Sequence, residues 1–240
     1  MRRIPYEFVS KMSHDLKTPV GNAMMYTELM VDDIKNLLEE YPDLEDKLNP
    51  LIQYCNNIHL SSSKLINSIQ SWGYSYQIED GSFEIRAEDV DMKKLLLKVI
   101  ASNEIFISGK SLDINLVYEC RQTDCRSDPE LLTLIFDNLL MLFINMARNG
   151  DEIRITVKDD DDGMMIRFFA AKASFTEILT DMFQSGISIT DHLIPEQGIL
   201  KPSGYGLLFA SLALDFLNAR FGVDEEGEEP RSYWLRLSLS

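Results

Sequence analysis

Two successive segments near the start of the chain repeat apolar residues at every seventh position. The first repeat contains Val9, Leu16, Ala23, Met30 and Leu37. The second contains Leu51, Ile58, Leu65 and Trp72. A seven-residue apolar period is typical of helices that pack at a shallow angle, so each segment predicts a long helix. The short break at residues 40–43, which contains Pro42, predicts that the two helices form an antiparallel hairpin.

The predicted hairpin has one long apolar seam. Two helices cannot bury such a seam by themselves, because each covers only one side of its neighbour. We therefore expect two copies of the hairpin to associate into a four-helix bundle, which makes the protein a homodimer. The dimerising segment should span residues 1–77, where only Gly21 and Gly73 interrupt a sequence without strand-like alternation.

The pattern changes from residue 83 onward, where short alternating runs and apolar helical runs follow one another. Strands are predicted over residues 83–86, 112–118, 152–158, 164–170 and 233–239. Helices are predicted from Asp89 or Asp91, from Pro129 to about residue 147, over residues 175–184 and over residues 206–219. This second segment, residues 83–240, therefore predicts an α/β sandwich, and the whole chain predicts an α+β fold.

Charge and composition restrict the functions that these two segments can have. The 240 residues include 23 basic and 39 acidic side chains, a net charge of −16, which argues against wrapping nucleic acid or binding an anionic membrane surface. The longest apolar run, residues 131–144, is interrupted by Asp137, so we expect no membrane segment. Cys55, Cys120 and Cys125 match no metal-ligand spacing, and their odd number favours a reducing, cytoplasmic environment.

One motif near the start of the chain carries candidate chemistry. Residues 8–19 read Phe-Val-Ser-Lys-Met-Ser-His-Asp-Leu-Lys-Thr-Pro. This run resembles the phosphoacceptor motif of sensor histidine kinases, in which a histidine near the start of a dimerising helical hairpin accepts the phosphoryl group. The resemblance implies that His14 is the phosphoacceptor and that Thr18 can position a water for hydrolysis of a phosphoaspartate.

The helical geometry of this motif agrees with an accessible histidine. At 100° per residue, His14 points away from the apolar seam. A solvated imidazole is largely neutral and nucleophilic at pH 7, and Asp15 can orient the ring or take its proton. The same exposed flank should contact a partner protein through Lys11, Lys17, Gly21, Asn22 and Met25. His59 and His192 lie in no such motif, and we expect neither to take part in chemistry.

The resemblance extends to the second segment, which is similar to the ATP-binding (Bergerat-type) domain of the same family. Its helix from Pro129 carries Asn138 at the position of the first family asparagine. Leu142 stands at the position of the second asparagine, which implies that a magnesium ligand is missing, since a leucine offers no oxygen donor. A shifted alignment would use Asn145 instead.

The remaining nucleotide-binding motifs are also incomplete. Residues 168–175 contain neither the carboxylate nor the glycines that the family uses around adenine. Residues 186–202, the expected lid over ATP, lack a glycine-rich phosphate cradle. Gly204 and Gly206 match the last glycine motif. We therefore predict a degenerate domain that binds neither ATP nor a metal ion.

An intact phosphoacceptor on a degenerate nucleotide domain is similar to the ChpT-type histidine phosphotransferases. The resemblance predicts a phosphotransferase of a multistep two-component phosphorelay, which carries phosphate on His14 between receiver aspartates without autophosphorylation. The implied partners are response-regulator receiver domains, which would bring Mg²⁺ with them, and an upstream hybrid histidine kinase. Two alternatives stay open: an ATP-dependent sensor histidine kinase with an atypical nucleotide site, and a pseudokinase scaffold without enzymatic activity.

Overall fold

The computed structural model describes residues 6–121, 123–160, 163–170, 202–224 and 232–238. The chain divides into two compact units, Met1–Gly81 and Ser82–Ser240. The described part of the first unit is helical and the second contains a sheet with helices, so the predicted α+β class is confirmed. The predicted helix at residues 175–184, almost all of the predicted lid at residues 186–202, and His192 lie outside the described residues.

Two long helices joined by a tight turn make up the first unit. Its elements are α1 (Tyr6–Glu40), a 3-10 turn (Pro42–Leu44) and α2 (Glu45–Asp80). The fixed φ of Pro42 suits the first position of this turn. α2 ends at Gly81, whose φ of 77° is left-handed and whose N–H donates to the carbonyls of Gln77 and Ile78.

Most side chains of the seven-residue repeat are not the ones buried between α1 and α2. The buried residues include Val9, Thr27 and Ile34 of α1 and Cys55 and Ile69 of α2. Seven members of the repeat instead keep 42–52% of their surface exposed: Leu16, Met30, Leu37, Leu51, Ile58, Leu65 and Trp72. The hairpin therefore presents these seven residues, the seam face, on its outside.

The second unit combines a mixed sheet with helices. In chain order its described elements are β1 (Glu88–Asp91), α3 (Met92–Ser102), α4 (Glu104–Gly109), β2 (Asp113–Glu119), β3 (Asp124–Ser127), α5 (Pro129–Met146), β4 (Glu152–Asp160), β5 (Gly163–Ala170), α6 (Pro202–Phe216), β6 (Arg220–Asp224) and β7 (Ser232–Ser238). The sheet order is β2-β4-β5-β7-β6, in which β2 is parallel to β4 and the other neighbours are antiparallel. β1 and β3 pair separately as an antiparallel ladder.

Alternation along the strands directs apolar side chains to the face of the sheet that packs on α5. On β4, Ile153 and Ile155 are buried, whereas Arg154 between them is exposed. Phe168 of β5 stacks on Phe143 of α5, with ring centroids 5.2 Å apart. The core of the second unit therefore lies between the sheet and α5.

α5 begins at a capped terminus and runs through this core. The Asp128 carboxylate accepts hydrogen bonds from the N–H groups of Glu130 and Leu131, both at 3.0 Å. Within the described residues, α5 alone is long and apolar enough to cross a membrane by length and composition. Eleven of its residues are buried, and Asp137 among them accepts a 2.7 Å hydrogen bond from the Asn103 amide, so α5 serves as a core helix.

Several short elements differ from the sequence prediction. No strand forms at residues 83–86; β1 begins at Glu88 and pairs with β3, which the sequence pattern does not predict. The N–H of Arg86 instead donates to the Asp128 carboxylate at 3.0 Å. α4 and β6 are also unpredicted, and α6 begins at Pro202 rather than at Gly206. Such short strands form because a neighbouring strand supplies their backbone partners, which a local pattern does not reveal.

Candidate phosphoacceptor site

His14 lies on the outer surface of α1, where its side chain is 81% exposed. Its Nδ1 atom is 3.4 Å from a carboxylate oxygen of Asp15, the next residue, which is also exposed. When the ring proton is on Nδ1, the ring donates this hydrogen bond to Asp15 and Nε2 carries the free electron pair. The pair can therefore present a nucleophilic nitrogen to a molecule that approaches from solvent.

Thr18 is one turn beyond His14 on the same flank of α1. Its hydroxyl donates to the backbone carbonyl of His14 at 3.2 Å, a local bond typical of threonine inside a helix. The following residue, Pro19, has no N–H, so it cannot donate to the carbonyl of Asp15 as a helical residue normally would. The arrangement keeps the Thr18 hydroxyl close to the backbone of the histidine, and its role in positioning water stays a prediction.

The residue before the histidine lies about 100° around α1 and faces α2. Ser13 is buried, and a Cβ atom at Gly73 of α2 would lie 3.6 Å from the Ser13 hydroxyl oxygen. The two helices therefore approach closely behind His14, where small residues meet. Sequence reasoning missed both Ser13 and Gly73, although a serine and a glycine on facing helices are a common signal of close approach.

The predicted partner-binding residues lie around His14 on α1. Lys11, Asn22 and Met25 are exposed, and Lys17 and Gly21 are half-buried. His59 of α2 lies farther along the hairpin, with Nδ1 3.5 Å from the Thr27 hydroxyl and 3.7 Å from a Glu28 carboxylate oxygen. His59 thus belongs to a polar contact between the two helices and is separate from the motif that contains His14.

A second group of predicted residues meets at the contact between α5 and α6. The Asn138 amide donates to the carbonyl of Leu134, one turn earlier in α5, at 2.8 Å. A Cβ atom at Gly206 of α6 would overlap Asn138 Oδ1 and would lie 3.1 Å from its Cγ atom. Gly206 therefore provides space for the Asn138 side chain, and Gly204 lies in the first turn of the same helix.

Comparisons with known proteins show which proteins the whole chain is similar to. No known protein family profile matches the chain. Sensor histidine kinase GacS of Pseudomonas protegens is 22% identical over 244 residues, covering 99% of the chain and 25% of GacS. Sensor histidine kinase GlrK of Escherichia coli K12 is 25% identical over 228 residues, covering 93% of the chain and 44% of GlrK. The chain is thus similar in sequence to sensor histidine kinases.

Solved histidine kinase structures share the fold. Full-length ShkA in complex with AMPPNP superimposes with a TM-score of 0.61 at 16% identity, covering 99% of the chain and 47% of ShkA. Acinetobacter baumannii histidine kinase AdeS superimposes with a TM-score of 0.56 at 15% identity, covering 88% of the chain and 95% of that structure. The chain spans a quarter of GacS and less than half of GlrK.

Leu142, the residue that the gapless alignment puts at the second asparagine position, is only 3% exposed and belongs to the buried side of α5. Asn145, the alternative magnesium ligand, is exposed, and its backbone carbonyl accepts a hydrogen bond from Lys110 Nζ at 3.1 Å. Lys110 also binds the carbonyls of Ile144 and Ala147, at 2.7 Å and 3.0 Å, and so caps the end of α5. The gapless alignment therefore puts a buried leucine at the magnesium-ligand position. The shifted alignment puts an exposed asparagine there, beside the lysine that caps α5.

The described part of the predicted adenine segment is apolar. Phe168 and Ala170 of β5 are buried, and Ala170 pairs with Ile153 of β4; residues 171–175 lie outside the described residues. Across the parts of the chain that the structure describes, no group of three or more His, Cys, Asp or Glu side chains is placed to hold a metal ion. Ala170, the last residue of β5, therefore offers no carboxylate that could bind adenine.

Proposed function

We propose that this chain is a histidine phosphotransferase in a multistep two-component phosphorelay. It carries a phosphoryl group on His14 between the aspartates of receiver domains and does not phosphorylate itself with ATP. The observation that carries this proposal is the exposed His14–Asp15 pair. The resemblance to the family motif adds support, since its gapless alignment puts the buried Leu142 at the position of a metal-binding asparagine. The sequence relationship to GacS and GlrK supports response-regulator receivers as partners.

The transfer step follows from the geometry of the pair. The electron pair of the outer ring nitrogen of His14 attacks the phosphorus of a receiver phosphoaspartate. A nitrogen–phosphorus bond forms while the phosphorus–oxygen bond breaks, and its electrons leave with the receiver carboxylate. The proton stays on the other ring nitrogen, which donates a hydrogen bond to the Asp15 carboxylate, and the negative charge of Asp15 offsets the positive charge of the phosphorylated ring. The reverse step then loads a second receiver.

The receiver neutralises most of the negative charge of the transferring phosphoryl group in this proposal. We expect Mg²⁺ to arrive with the receiver's own acidic site, where it would stabilise the transferring phosphoryl group. On this chain, Lys11 and Lys17 flank His14 and add positive charge beside the phosphoryl group. Gly21, Asn22 and Met25 continue the contact surface along α1. An upstream hybrid histidine kinase would supply the first receiver.

The active assembly in this proposal is a cytoplasmic homodimer. The seam face exposes about half of the surface of seven large apolar side chains, and burying the exposed part of each favours association by about 0.7–1.5 kcal/mol. An open groove of about 490 Å³ lies along this face, and Ala23, Ile58 and Leu65 are among the residues that line it. A second copy of the hairpin would fill this groove and complete a four-helix bundle.

The phosphotransfer reaction provides the decisive test. Receiver domains from the same genome are phosphorylated with labelled acetyl phosphate, purified and mixed with the full chain. We expect label to move from a receiver to the wild-type chain and to a His59→Ala variant, but not to a His14→Ala variant. A second incubation, with labelled ATP and Mg²⁺, should leave the chain unlabelled.

Two other outcomes would select the alternatives. Efficient labelling by ATP that disappears in His14→Ala would identify an ATP-dependent kinase, an alternative supported by the AMPPNP complex of the structurally similar ShkA. Binding of a receiver without any transfer of label, unchanged in His14→Ala, would identify a scaffold. Either outcome would overturn the phosphotransferase proposal.

A further inference from the structure

α3 of the second unit is basic in a chain that is acidic as a whole. Its 11 residues include three lysines and no acidic residue, whereas the whole chain has 39 acidic and 23 basic side chains. The helix is also divided sharply around its circumference. Its buried residues lie within about 100° of one another in helical angle: Met92, Leu95, Leu96 and Val99. The opposite side of α3 contains all three lysines and is directed to solvent.

This exposed side of α3 has an apolar centre between basic side chains. At 100° per residue, five exposed residues fall within about 140° of helical angle: Lys93, Lys94, Leu97, Lys98 and Ala101. We name these five residues the α3 face. Leu97 and Ala101 are one turn apart at its centre, with Lys93 on one side and the other two lysines on the other. The α3 face therefore combines apolar contact area with positive charge.

Exposed large apolar side chains are few in the described part of the second unit. They are Ile85, Leu97 and Ile105, and Leu97 is 49% exposed. Ile105 belongs to α4, which begins two residues after α3 ends. An isolated exposed leucine is common on protein surfaces. The position of Leu97 between three lysines is what gives the α3 face its own binding chemistry.

The lysines of the α3 face contact the second unit and are still accessible. Lys94 Nζ is 2.8 Å from an Asp91 carboxylate oxygen, and its side chain is 85% exposed. Lys93 Nζ lies 5.9 Å from the centre of the Tyr118 ring, which orients a long side chain and lowers the entropy that it loses on binding. Lys98 is exposed one turn beyond Lys94. Because Asp91 offsets part of the charge of Lys94, Lys93 and Lys98 should attract an acidic partner most strongly.

The charge distribution favours a short acidic segment over an extended polyanion. α3 is about 16 Å long, and charges in physiological salt act over about 8 Å. A membrane surface or a nucleic acid would extend beyond α3 and meet a chain of net charge −16, whereas one helix of a partner protein can cover α3 alone. The small side chain of Ala101 leaves space next to Leu97 for one large apolar side chain of such a helix.

We propose that the α3 face binds a helix of a partner protein that carries a large apolar side chain between acidic side chains. The apolar side chain packs on Leu97 and Ala101, and the acidic side chains approach Lys93 and Lys98. Electrostatic attraction raises the rate of association, and burial of Leu97 adds affinity that salt does not screen. This inference concerns the second unit and does not depend on phosphotransfer through His14.

A fluorescein-labelled helical peptide of about 18 residues is the probe, with glutamates on both sides of a central leucine and alanines elsewhere. Its fluorescence anisotropy should show saturable binding to the full chain. Lys93→Glu combined with Lys98→Glu should weaken this binding by about tenfold or more, and so should Leu97→Ser. Lys35→Glu combined with Lys47→Glu is the matched control, since it makes the same charge change at exposed positions of the first unit and should bind as the wild type does.

Two further forms of the peptide separate a specific contact from general charge attraction. Serine in place of the central leucine keeps the charge and should weaken binding by about tenfold. A benzophenone side chain at the same position should form its photochemical crosslinks within α3, as located by mass spectrometry. Equal weakening by the test and control lysine pairs would overturn the proposal, and so would crosslinks outside α3 or the absence of saturable binding up to about 1 mM peptide.

Vesicles of phosphatidylglycerol test the other class of anionic partner. The full chain should not bind them, because its net charge of −16 is repelled by an anionic surface. Vesicle binding by a chain that does not bind the peptide, lost in Lys93→Glu combined with Lys98→Glu, would assign the α3 face to lipid. That outcome would overturn the proposal of a protein partner.

Discussion

The side chain of Asn138 in α5 occupies the space that a Cβ atom at position 206 of α6 would need. Gly206 can be read from the sequence as part of a nucleotide-binding glycine motif, but in the folded chain it also has a packing role. Both helices contribute buried residues to the core of the second unit, so this contact links the motif to the stability of the unit.

Gly206→Ala should destabilise the second unit by roughly 1–3 kcal/mol, because the added methyl group overlaps Asn138 and forces a shift in the core. Chemical denaturation measures the change. Gly109→Ala is the control, since nothing lies within 4 Å of a Cβ atom at that helical position. Combining Gly206→Ala with Asn138→Ala should restore part of the loss, and equal effects of Gly206→Ala and Gly109→Ala would contradict this account.

Leu65→Lys should convert the proposed homodimer into a monomer. Leu65 is 49% exposed on the seam face and lines the groove there, so a lysine would place charge in the centre of the apolar dimer contact. Sedimentation velocity of the full chain measures the assembly. Gln53→Lys, at an exposed position of α2 outside the seam face, should stay dimeric. A Leu65→Lys chain that remains a dimer would show that another surface holds the copies together.

Thr18→Ala should separate phosphotransfer from hydrolysis. The Thr18 hydroxyl donates to the backbone carbonyl of His14 and takes no part in the hydrogen bond between the His14 ring and Asp15. The rate of phosphoryl transfer to His14 should therefore stay unchanged. If this hydroxyl positions a water, the variant should release inorganic phosphate from a phosphorylated receiver about tenfold more slowly. Thr27→Ala, at a buried position of the same helix, is the control. Unchanged phosphate release in Thr18→Ala would remove Thr18 from the reaction.

Cys125 should react slowly with alkylating reagents in the folded chain. Burial, with a smaller contribution from Asp124, raises the pKa of its thiol to about 11. At pH 8 only about one thiol in a thousand is then a thiolate, and the alkylation rate should rise about tenfold per pH unit until the pKa is reached. Mass spectrometry after timed iodoacetamide treatment measures the rate, and urea should abolish the protection. Rapid alkylation of folded Cys125 at pH 8 would contradict the raised pKa.

Local signals in the sequence identified the long elements and their starting points. The seven-residue repeat predicted the two helices of the hairpin. Acidic residues that can accept hydrogen bonds from the first free N–H groups predicted two helix starts, one at Asp89 or Asp91 and one just before Pro129. In the structure the caps are Asp91, which accepts from the N–H of Lys94 at 2.9 Å, and Asp128. The hairpin of β4 and β5 was also predicted, from its alternation and acidic turn.

Such local signals did not predict the short strands or the contacts between helices. The strand predicted at residues 83–86 does not form, because the available partner, β3, pairs with residues 88–91 instead. The close approach of Ser13 and Gly73 and the space that Gly206 leaves for Asn138 depend on residues far apart in the sequence. A local pattern does not contain the partner that determines such contacts.

The candidate chemistry of this protein is visible without any structure, in the motif around His14 and in the leucine at position 142. The sequence by itself also determined that apolar residues recur along both helices. The tertiary structure decided which of these apolar residues are buried within the hairpin and which, as the seam face, remain exposed. The physical reason is that a seven-residue repeat specifies an apolar side of each helix, whereas the packing of α1 on α2 determines how much of that side is left for a partner.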